Sequence, residues 1–450
     1  MRPGRGAGGR PPEPGLSRRS VLRGLGAGAL ASGAGGVLAA CSSGVSSSVG
    51  AASGGTISIG FVTPLTGPLA GYASGDRFVL STIKATPQYK NGFTVGGQNY
   101  KINIMVADSQ SDPNLASEAA RNLVLNNNVD MLLATSAPET VNPVAAVAET
   151  QGVPCVSTVC PWESWYAGLG GNAARPAKAF TYATLFFFGL KQYQGCFVPM
   201  WKRIPAANKT VACMYPDDAD GATFRAGFIP LIRESGYKAV DGGAYTDGIT
   251  DFTTMIIKFL AKNAEYFSNC QLPPDFNIFW KQAHQQGWKP KLATVSKVLQ
   301  FPADTVALGS LVNNIATTSW WGPYMPHKSS LTGQTASALA AAYEAQAGKQ
   351  WVQSIGSSYS LFEVAHQAFT AVSDPHDSKA VAGAIHKVNY SGMCGTLNFA
   401  GGPAPGVAIM NPVGVQWKKG TGKHPYELKV VDNSLNKAVP IQASLEPTNL

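Results

Sequence analysis

The sequence predicts an α/β fold of two similar units, and three observations point to it. Short apolar strand candidates alternate with helix-length segments along most of the chain. The pattern runs through one unit, breaks near 177–203 and restarts at 210. Loops rich in hydroxyls, glycine and proline fall between a strand and the helix after it, where open α/β sheets bind small ligands.

The first strand is expected at 56–62. There Ile57, Ile59 and Phe61 alternate with small residues, a pattern that suits a pleated, half-buried backbone. Thr63-Pro64 ends it, because proline has no N–H for the ladder. A turn carrying Thr63, Thr66 and Gly67 leads to a helix over 71–85. A second strand, 100–107, is followed by the loop 108–113 and a helix over 114–126, with Leu115, Ala119 and Leu123 on one face. A buried-type strand at 129–134 leads into Thr135-Ser136-Ala137-Pro138-Glu139-Thr140 and a helix over 141–150. A fourth strand, 152–157, runs into Thr158 and Pro161-Trp162-Glu163-Ser164-Trp165. Four strands separated by helix-length segments imply a parallel sheet with right-handed crossovers.

The aromatic-rich stretch 177–188 is expected to pass between units, with a helix at 189–203. The second unit then reads as strands 210–215, 237–242, 275–280 and 292–296, with helices to 234, over 251–263 and over 281–286. The strand-like stretch 311–320 crosses back. Helices follow at 332–347, with Thr332 as cap, then at 357–372 and 378–388. Late strands are expected at 395–399 and 412–418, and an irregular tail after 420.

The chain has 450 residues and a formal charge of +9. Arg2, Arg5, Arg10, Arg18, Arg19 and Arg23 against Glu13 give 6 − 1 = +5 of it, which leaves 9 − 5 = +4 for 41–450. The basic balance is therefore mostly a property of the N-terminus, and without a Lys/Arg run elsewhere nucleic acid is not expected as a partner. Ser17-Arg18-Arg19-Ser20-Val21-Leu22 is a twin-arginine pattern, followed by a Gly/Ala-rich apolar stretch over 24–40 that is too weak and short for a confident membrane span. Leu38-Ala39-Ala40-Cys41 resembles the bacterial lipobox, which implies a signal peptide over 1–40, cleavage before Cys41 and lipidation of its thiol. Residues 41–55 are nearly all Ser, Gly, Ala and Val and read as a flexible tether. The remaining six cysteines (Cys155, Cys160, Cys196, Cys213, Cys270 and Cys394) can pair outside the cell, in a connectivity the sequence does not give.

From 56 to about 420 the chain resembles the bacterial extracellular solute-binding proteins of ABC importers, in the branched-chain amino acid and amide-binding (leucine-binding protein-like) group. The resemblance is carried by Ile59-Gly-Phe-Val-Thr-Pro-Leu-Thr-Gly-Pro68, Ala107-Asp-Ser-Gln-Ser-Asp-Pro113, Tyr215-Pro-Asp-Asp-Ala-Asp-Gly221 and the stretch 399–417, behind a lipobox. It implies a type I periplasmic-binding fold: two Rossmann-like lobes joined by three crossovers, with the ligand cleft between them. Lobe 1 is then expected over 56–182 plus 322–392, and lobe 2 over 183–321 plus 393–450. The implied function is capture of a small amphipathic solute by cleft closure and its delivery to a permease and ATPase. The solute is expected to be a branched-chain or other amino acid, an amide or a small aromatic acid. The chain is expected to be extracytoplasmic, monomeric and held to the membrane by its lipid alone. A sensor acting through a membrane receptor or kinase is the alternative.

Strand-end loops can offer N–H groups and hydroxyls to a carboxylate or amide, and aromatic walls bury the apolar part. The candidates in lobe 1 are Thr66, Ser136, Ala137, Ser157 and Thr158, with the resemblance implicating the loops after the third and fourth strands. Ser and Thr at such places also serve as helix caps. Trp162 is a candidate wall, or packs at the lobe edge. Tyr215, Asp217 and Trp280 are the candidates in lobe 2: Tyr215 and the acids of 217–220 sit on a strand-end loop, with a helix cap and a solvated acidic loop as their plainer roles, and Trp280 ends another expected strand. Lys281 can meet an anion or simply face solvent, and Trp320-Trp321 is cleft wall or hinge packing. Glu139, Glu163 or Asp217 can serve an amino group.

Catalysis is not expected. The six histidines are scattered, with no His-Glu-x-x-His helix, no Gly-x-Ser-x-Gly elbow and no phosphate-binding Gly-x-x-x-x-Gly-Lys. Asp218-Ala-Asp220-Gly221 matches only a fragment of a calcium loop, so no metal is expected, and no cofactor.

Overall fold

The computed structural model describes residues 52–448. The expected signal peptide, Cys41 and its lipidation, and most of the expected tether lie outside the described residues. The end of that tether is strand, because pairing with Gln98 already begins at Ala52.

The strands in chain order are β1 (Ala52–Thr63), β2 (Phe93–Val95), β3 (Gln98–Asp108), β4 (Met131–Ala134), β5 (Cys155–Thr158), β6 (Ala183–Phe186), β7 (Thr210–Met214), β8 (Lys238–Asp241), β9 (Tyr266–Asn269), β10 (Leu292–Val295), β11 (Ala316–Ser319), β12 (Asn389–Gly392), β13 (Gly395–Asn398), β14 (Val407–Ala408), β15 (Val413–Lys419) and β16 (Tyr426–Asp432). They form two seven-stranded sheets, ordered β14-β6-β5-β4-β1-β3-β2 and β16-β15-β11-β10-β9-β7-β8, and a β12-β13 hairpin. Each sheet is parallel through its middle. β2 is an antiparallel edge of the first, and β15 and β16 are the antiparallel edge of the second.

Two α/β lobes thus stand on two sheets, as the sequence predicts. The chain passes between them three times: from β6 to β7, after β11, and from β14 to β15. The lobe limits move from those expected. The first sheet takes β6 and β14, so lobe 1 extends past 182 and reclaims part of 393–450.

The central strands are buried on both faces, so they read as near-continuous apolar runs. All of Met131–Ala134 is buried, and Ile57, Ile59, Phe61 and Val62 are inaccessible to solvent. The helix Pro138–Gln151 begins with proline at its first turn and ends where Gly152 takes φ 70°, a left-handed stop that glycine adopts without a Cβ penalty. The helix Ser354–Thr370 is almost wholly buried on the first sheet, where Phe362 meets Phe61 edge-on at 5.6 Å.

Several local expectations change. Residues 275–280 are not a strand. They belong to the helix Pro273–Gln285, whose Phe276, Phe279, Trp280 and Ala283 are buried at i, i+3, i+4 and i+7. The strand of that region is β9, just upstream. The helix Ala336–Ala347 is capped by Thr335, whose hydroxyl accepts from the Ala338 N–H, and not by Thr332. The tail is not irregular throughout, since β16 pairs along β15.

Candidate functional site

The loops that leave the carboxyl ends of both sheets converge on one cavity. Tyr72 follows β1, Ala137 follows β4, and Val159 and Pro161 follow β5 in lobe 1. From lobe 2 come Asp220 after β7, Cys270 after β9, and Ser296, Lys297 and Gln300 after β10. Phe187 and Trp320, at the first two crossovers, complete the wall with Tyr193 and Phe224. Phe187 meets Trp320 edge-on at 5.4 Å, so the two crossovers brace each other at the base of the cleft. Gln353 fixes this corner: its Oε1 accepts from the Trp320 N–H at 3.0 Å, and its Nε2 donates to Gln300 Oε1 at 3.0 Å.

A charged cluster occupies the cleft. Lys297 Nζ lies 2.9 Å from Glu139 Oε1, 3.1 Å from Asp218 Oδ2 and 3.1 Å from Asp220 Oδ2. Glu139 belongs to lobe 1, whereas the two aspartates and the lysine belong to lobe 2. Tyr72 Oη donates to the Lys297 carbonyl at 2.6 Å, and Ser164 Oγ to Asp220 Oδ1 at 2.8 Å, so these two contacts cross the cleft as the Glu139–Lys297 pair does. Burial alone lowers the pKa of Lys297, but Glu139, Asp218 and Asp220 outweigh it and hold the ammonium well above its ordinary range. One ammonium does not offset three carboxylates. Burial pushes Asp220 up to about 6; Lys297 pulls it down, and Asp218 and Glu139 push it up. Asp247, in the loop after β8, is raised to about 7 by burial and by Asp218.

The backbone here is unusual. Ala137, Val159, Lys297 and Leu299 have φ of 65°, 56°, 66° and 54°, in the left-handed region that side chains disfavour. Such conformations cost about 1–3 kcal/mol each and persist where surrounding packing enforces them, often at ligand clamps. The Ala137 N–H donates to the Val159 carbonyl at 2.8 Å, which ties the two lobe 1 loops together. The cavity left around Lys297 is about 20 Å³, room for about one water molecule.

Of the nine residues expected to bind ligand, Ala137 borders this cavity. Ser136 is buried in the same loop as Ala137, and Ser157 and Thr158 are buried at the end of β5, with Thr158 Oγ1 donating to the Phe186 carbonyl at 2.8 Å. Thr66 is exposed and its hydroxyl donates to Asp108 Oδ2 at 2.7 Å, which shapes the loop after β1. Trp162 packs edge-on to Tyr166. Tyr215 is fully buried, its hydroxyl 3.2 Å from Ser268 Oγ. Asp217 faces solvent. Trp280 does not end a strand. It sits in the lobe 2 core, stacked with Phe276 and donating through Nε1 to the Leu311 carbonyl at 3.0 Å. Lys281 is exposed, and Glu163 is buried with its carboxyl raised to about 7 by that burial. Glu139 is the acid of the three named for an amino group that reaches the charged cluster. Lys297 went unnamed, although it follows a predicted strand end just as Ser136 does. The six cysteines within the described residues are buried free thiols.

A family model described as periplasmic binding protein matches residues 56–422. Among solved structures, the chain is similar to a leucine binding protein, LivK, from Thermotoga maritima MSB8, with a TM-score of 0.68 and 19% identity over 83% of this chain and 98% of that one. It is also similar to LivJ from Streptococcus pneumoniae, a branched-chain amino acid transporter substrate binding protein in complex with isoleucine (TM-score 0.63, 18% identity, 83% and 99% covered). A third is a solute binding protein of an ABC transporter from Rhodopseudomonas palustris BisB5, in complex with 3,4-dihydroxy benzoic acid (TM-score 0.62, 16% identity, 86% and 98% covered). At these identities the structural likeness speaks to the fold.

Proposed function

The chain belongs to the periplasmic binding protein family, and from that premise we propose that it is the solute-binding component of an ABC-type importer. It captures a small amphipathic solute between its lobes and presents the closed form to a permease driven by an ATPase. The observation that carries this reading is the cleft itself. Strand-end loops of two lobes meet across it, and its lining combines a charged cluster with aromatic rings from two crossovers. A solute that touches both lobes shifts an open–closed equilibrium by its preference for the closed form. The loop holding Ser136 and Ala137 and the end of β5 with Ser157 and Thr158 supply the lobe 1 contacts, and Trp320 and Phe187 cover the apolar part.

The twin-arginine segment and the lipobox at Cys41 support export and a lipid anchor, with the binding domain on the outer side of the membrane. Within the described residues no helix is long and apolar enough to cross a membrane.

The test is mass spectrometry of solute released when the purified chain is denatured, followed by thermal shift with branched-chain amino acids, amides and aromatic acids. A bound member of one class, raising the melting temperature by several degrees, is the expected result. Turnover of that compound without partner proteins overturns the reading.

A further inference from the structure

The cleft is already occupied by the protein itself. Lys297 has a side chain only 6% exposed, and its ammonium contacts carboxylates of both lobes. The space left is about 20 Å³, too small for any amino acid or aromatic acid. The charges within the cluster do not balance, for Glu139, Asp218 and Asp220 share one ammonium. Glu139 Oε2 is shielded from solvent and has no hydrogen-bond partner. The lysine sits on a loop whose backbone is left-handed at both Lys297 and Leu299, a conformation the loop can relax once its side chain leaves.

Resting on the solute-binding reading, we propose that Lys297 is an internal occupant of the cleft: its ammonium latches the lobes shut without solute, and the cleft admits solutes whose own protonated amine displaces it. Three carboxylates around the position repel an anion that approaches Lys297 in place. An arriving ammonium meets the opposite situation, because it takes over contacts that are already built and leaves the lysine free to reach solvent on its four-carbon stem. Opening also breaks the Tyr72 hydroxyl's bond to the Lys297 carbonyl, so displacement of the side chain and parting of the lobes are one event. The lysine thereby sets affinity. Any solute competes with a tethered group that is always present, and its apparent affinity is scaled by the fraction of chains in which the position is free.

The test is chemical rescue on the full chain. Without additive, the wild-type protein and Lys297→Arg should show the same compact radius of gyration by small-angle X-ray scattering. Lys297→Ala should expand, because Glu139 then faces Asp218 and Asp220 with no cation between them. Added n-propylammonium, which replaces the deleted atoms, should return Lys297→Ala to the wild-type radius, and sodium butyrate at equal ionic strength should not. Titration calorimetry should find n-propylammonium bound about tenfold or more tighter by Lys297→Ala than by wild type. Glu139→Gln, which removes one side of the latch and keeps its shape, should also expand, and serves if Lys297→Ala does not fold.

Lys297→Ala or Glu139→Gln staying compact without additive overturns the latch, and closure by butyrate overturns the preference for amines. Either failure leaves solute capture standing, since that is tested on solute released from wild type. Rescue by n-propylammonium in a protein that neither releases nor is stabilised by any solute overturns the importer reading instead.

Discussion

Ser164 Oγ donates to Asp220 Oδ1 over 2.8 Å, and the two residues belong to opposite lobes, both almost fully buried. The bond exists only when the cleft is shut. Ser164→Ala removes the donor and leaves a buried carboxylate oxygen short of a partner, which costs the closed form roughly 1–2 kcal/mol. The expected outcome is about tenfold weaker affinity for the solute recovered from the wild-type chain. Titration calorimetry of both proteins checks it, and an unchanged dissociation constant removes this bond from the closing contacts.

Asp76 lies under the loop after β1 with no solvent exposure, accepting from Thr63 Oγ1 at 2.6 Å and Ser358 Oγ at 2.7 Å. Burial pushes its pKa from 3.8 up to about 7, against the lowering effect of the two hydroxyls. A carboxyl whose pKa is higher folded than unfolded holds its proton longer in the folded chain. Its favourable contribution is therefore complete below about pH 4 and is lost as pH rises through about 7. Asp76→Asn keeps the shape and cannot ionise; one hydroxyl can keep donating to its amide oxygen while the other turns to accept from its NH2 group. It should stabilise the chain at pH 8 by roughly 2–4 kcal/mol and change little at pH 4. Urea unfolding at the two pH values reads this directly, and a loss at pH 8 refutes it.

Trp280 is a ligand-binding candidate at a strand end in the sequence and is core in the structure. Its ring packs against Phe276 at 5.6 Å and Phe267 at 5.7 Å, within lobe 2. Trp280→Ala should cost about 3–5 kcal/mol of stability, as large-to-small core changes do, with solute affinity unaltered in the folded fraction. Trp320→Ala should do the reverse in emphasis, weakening solute binding because its ring borders the cavity. Unfolding midpoints and calorimetry on the pair separate the two roles. Equal loss of affinity in both variants contradicts the assignment.

The contrast between these tryptophans shows what the sequence carries. Strand-end loops were legible because β4, β5 and β10 are apolar runs cut off by small polar residues, and that boundary is a local property. All four of the acids and bases that meet in the cleft, Glu139, Asp218, Asp220 and Lys297, sit on strand-end loops or within one turn of them. Their meeting was not legible, because Glu139 and Lys297 are brought together by the facing of two sheets and not by spacing. Trp280 was misplaced for a different reason. The apolar residues Phe276, Phe279 and Trp280 fit a helical period, and the pair Pro273-Pro274 marks a helix start, so the sequence itself carries the helix signal against the strand expected over 275–280. The lobe limits were legible only roughly, since β14 has two residues and its place beside β6 is set entirely by long-range pairing.

Gly356 lies in the buried helix Ser354–Thr370, and a Cβ there would stand 2.1 Å from Trp321 Cδ1. Trp321 follows the cavity residue Trp320 at the second crossover and has no solvent exposure, so its ring has nowhere to swing. Two effects oppose each other in Gly356→Ala. Alanine favours a helix interior over glycine by about 1 kcal/mol. Overpacking a filled core costs about 1–3 kcal/mol, and a separation this far inside van der Waals contact places the cost at the upper end. The net expectation is destabilisation of about 1–2 kcal/mol, with weaker solute binding as the crossover shifts Trp320. In a Trp321→Leu background, itself destabilised by the lost ring, Gly356→Ala should cost less, because the smaller side chain makes room for the new methyl group. Urea unfolding of the single and double variants measures both terms. A Gly356→Ala chain as stable as wild type shows that the crossover yields at this contact and is a soft joint of the hinge.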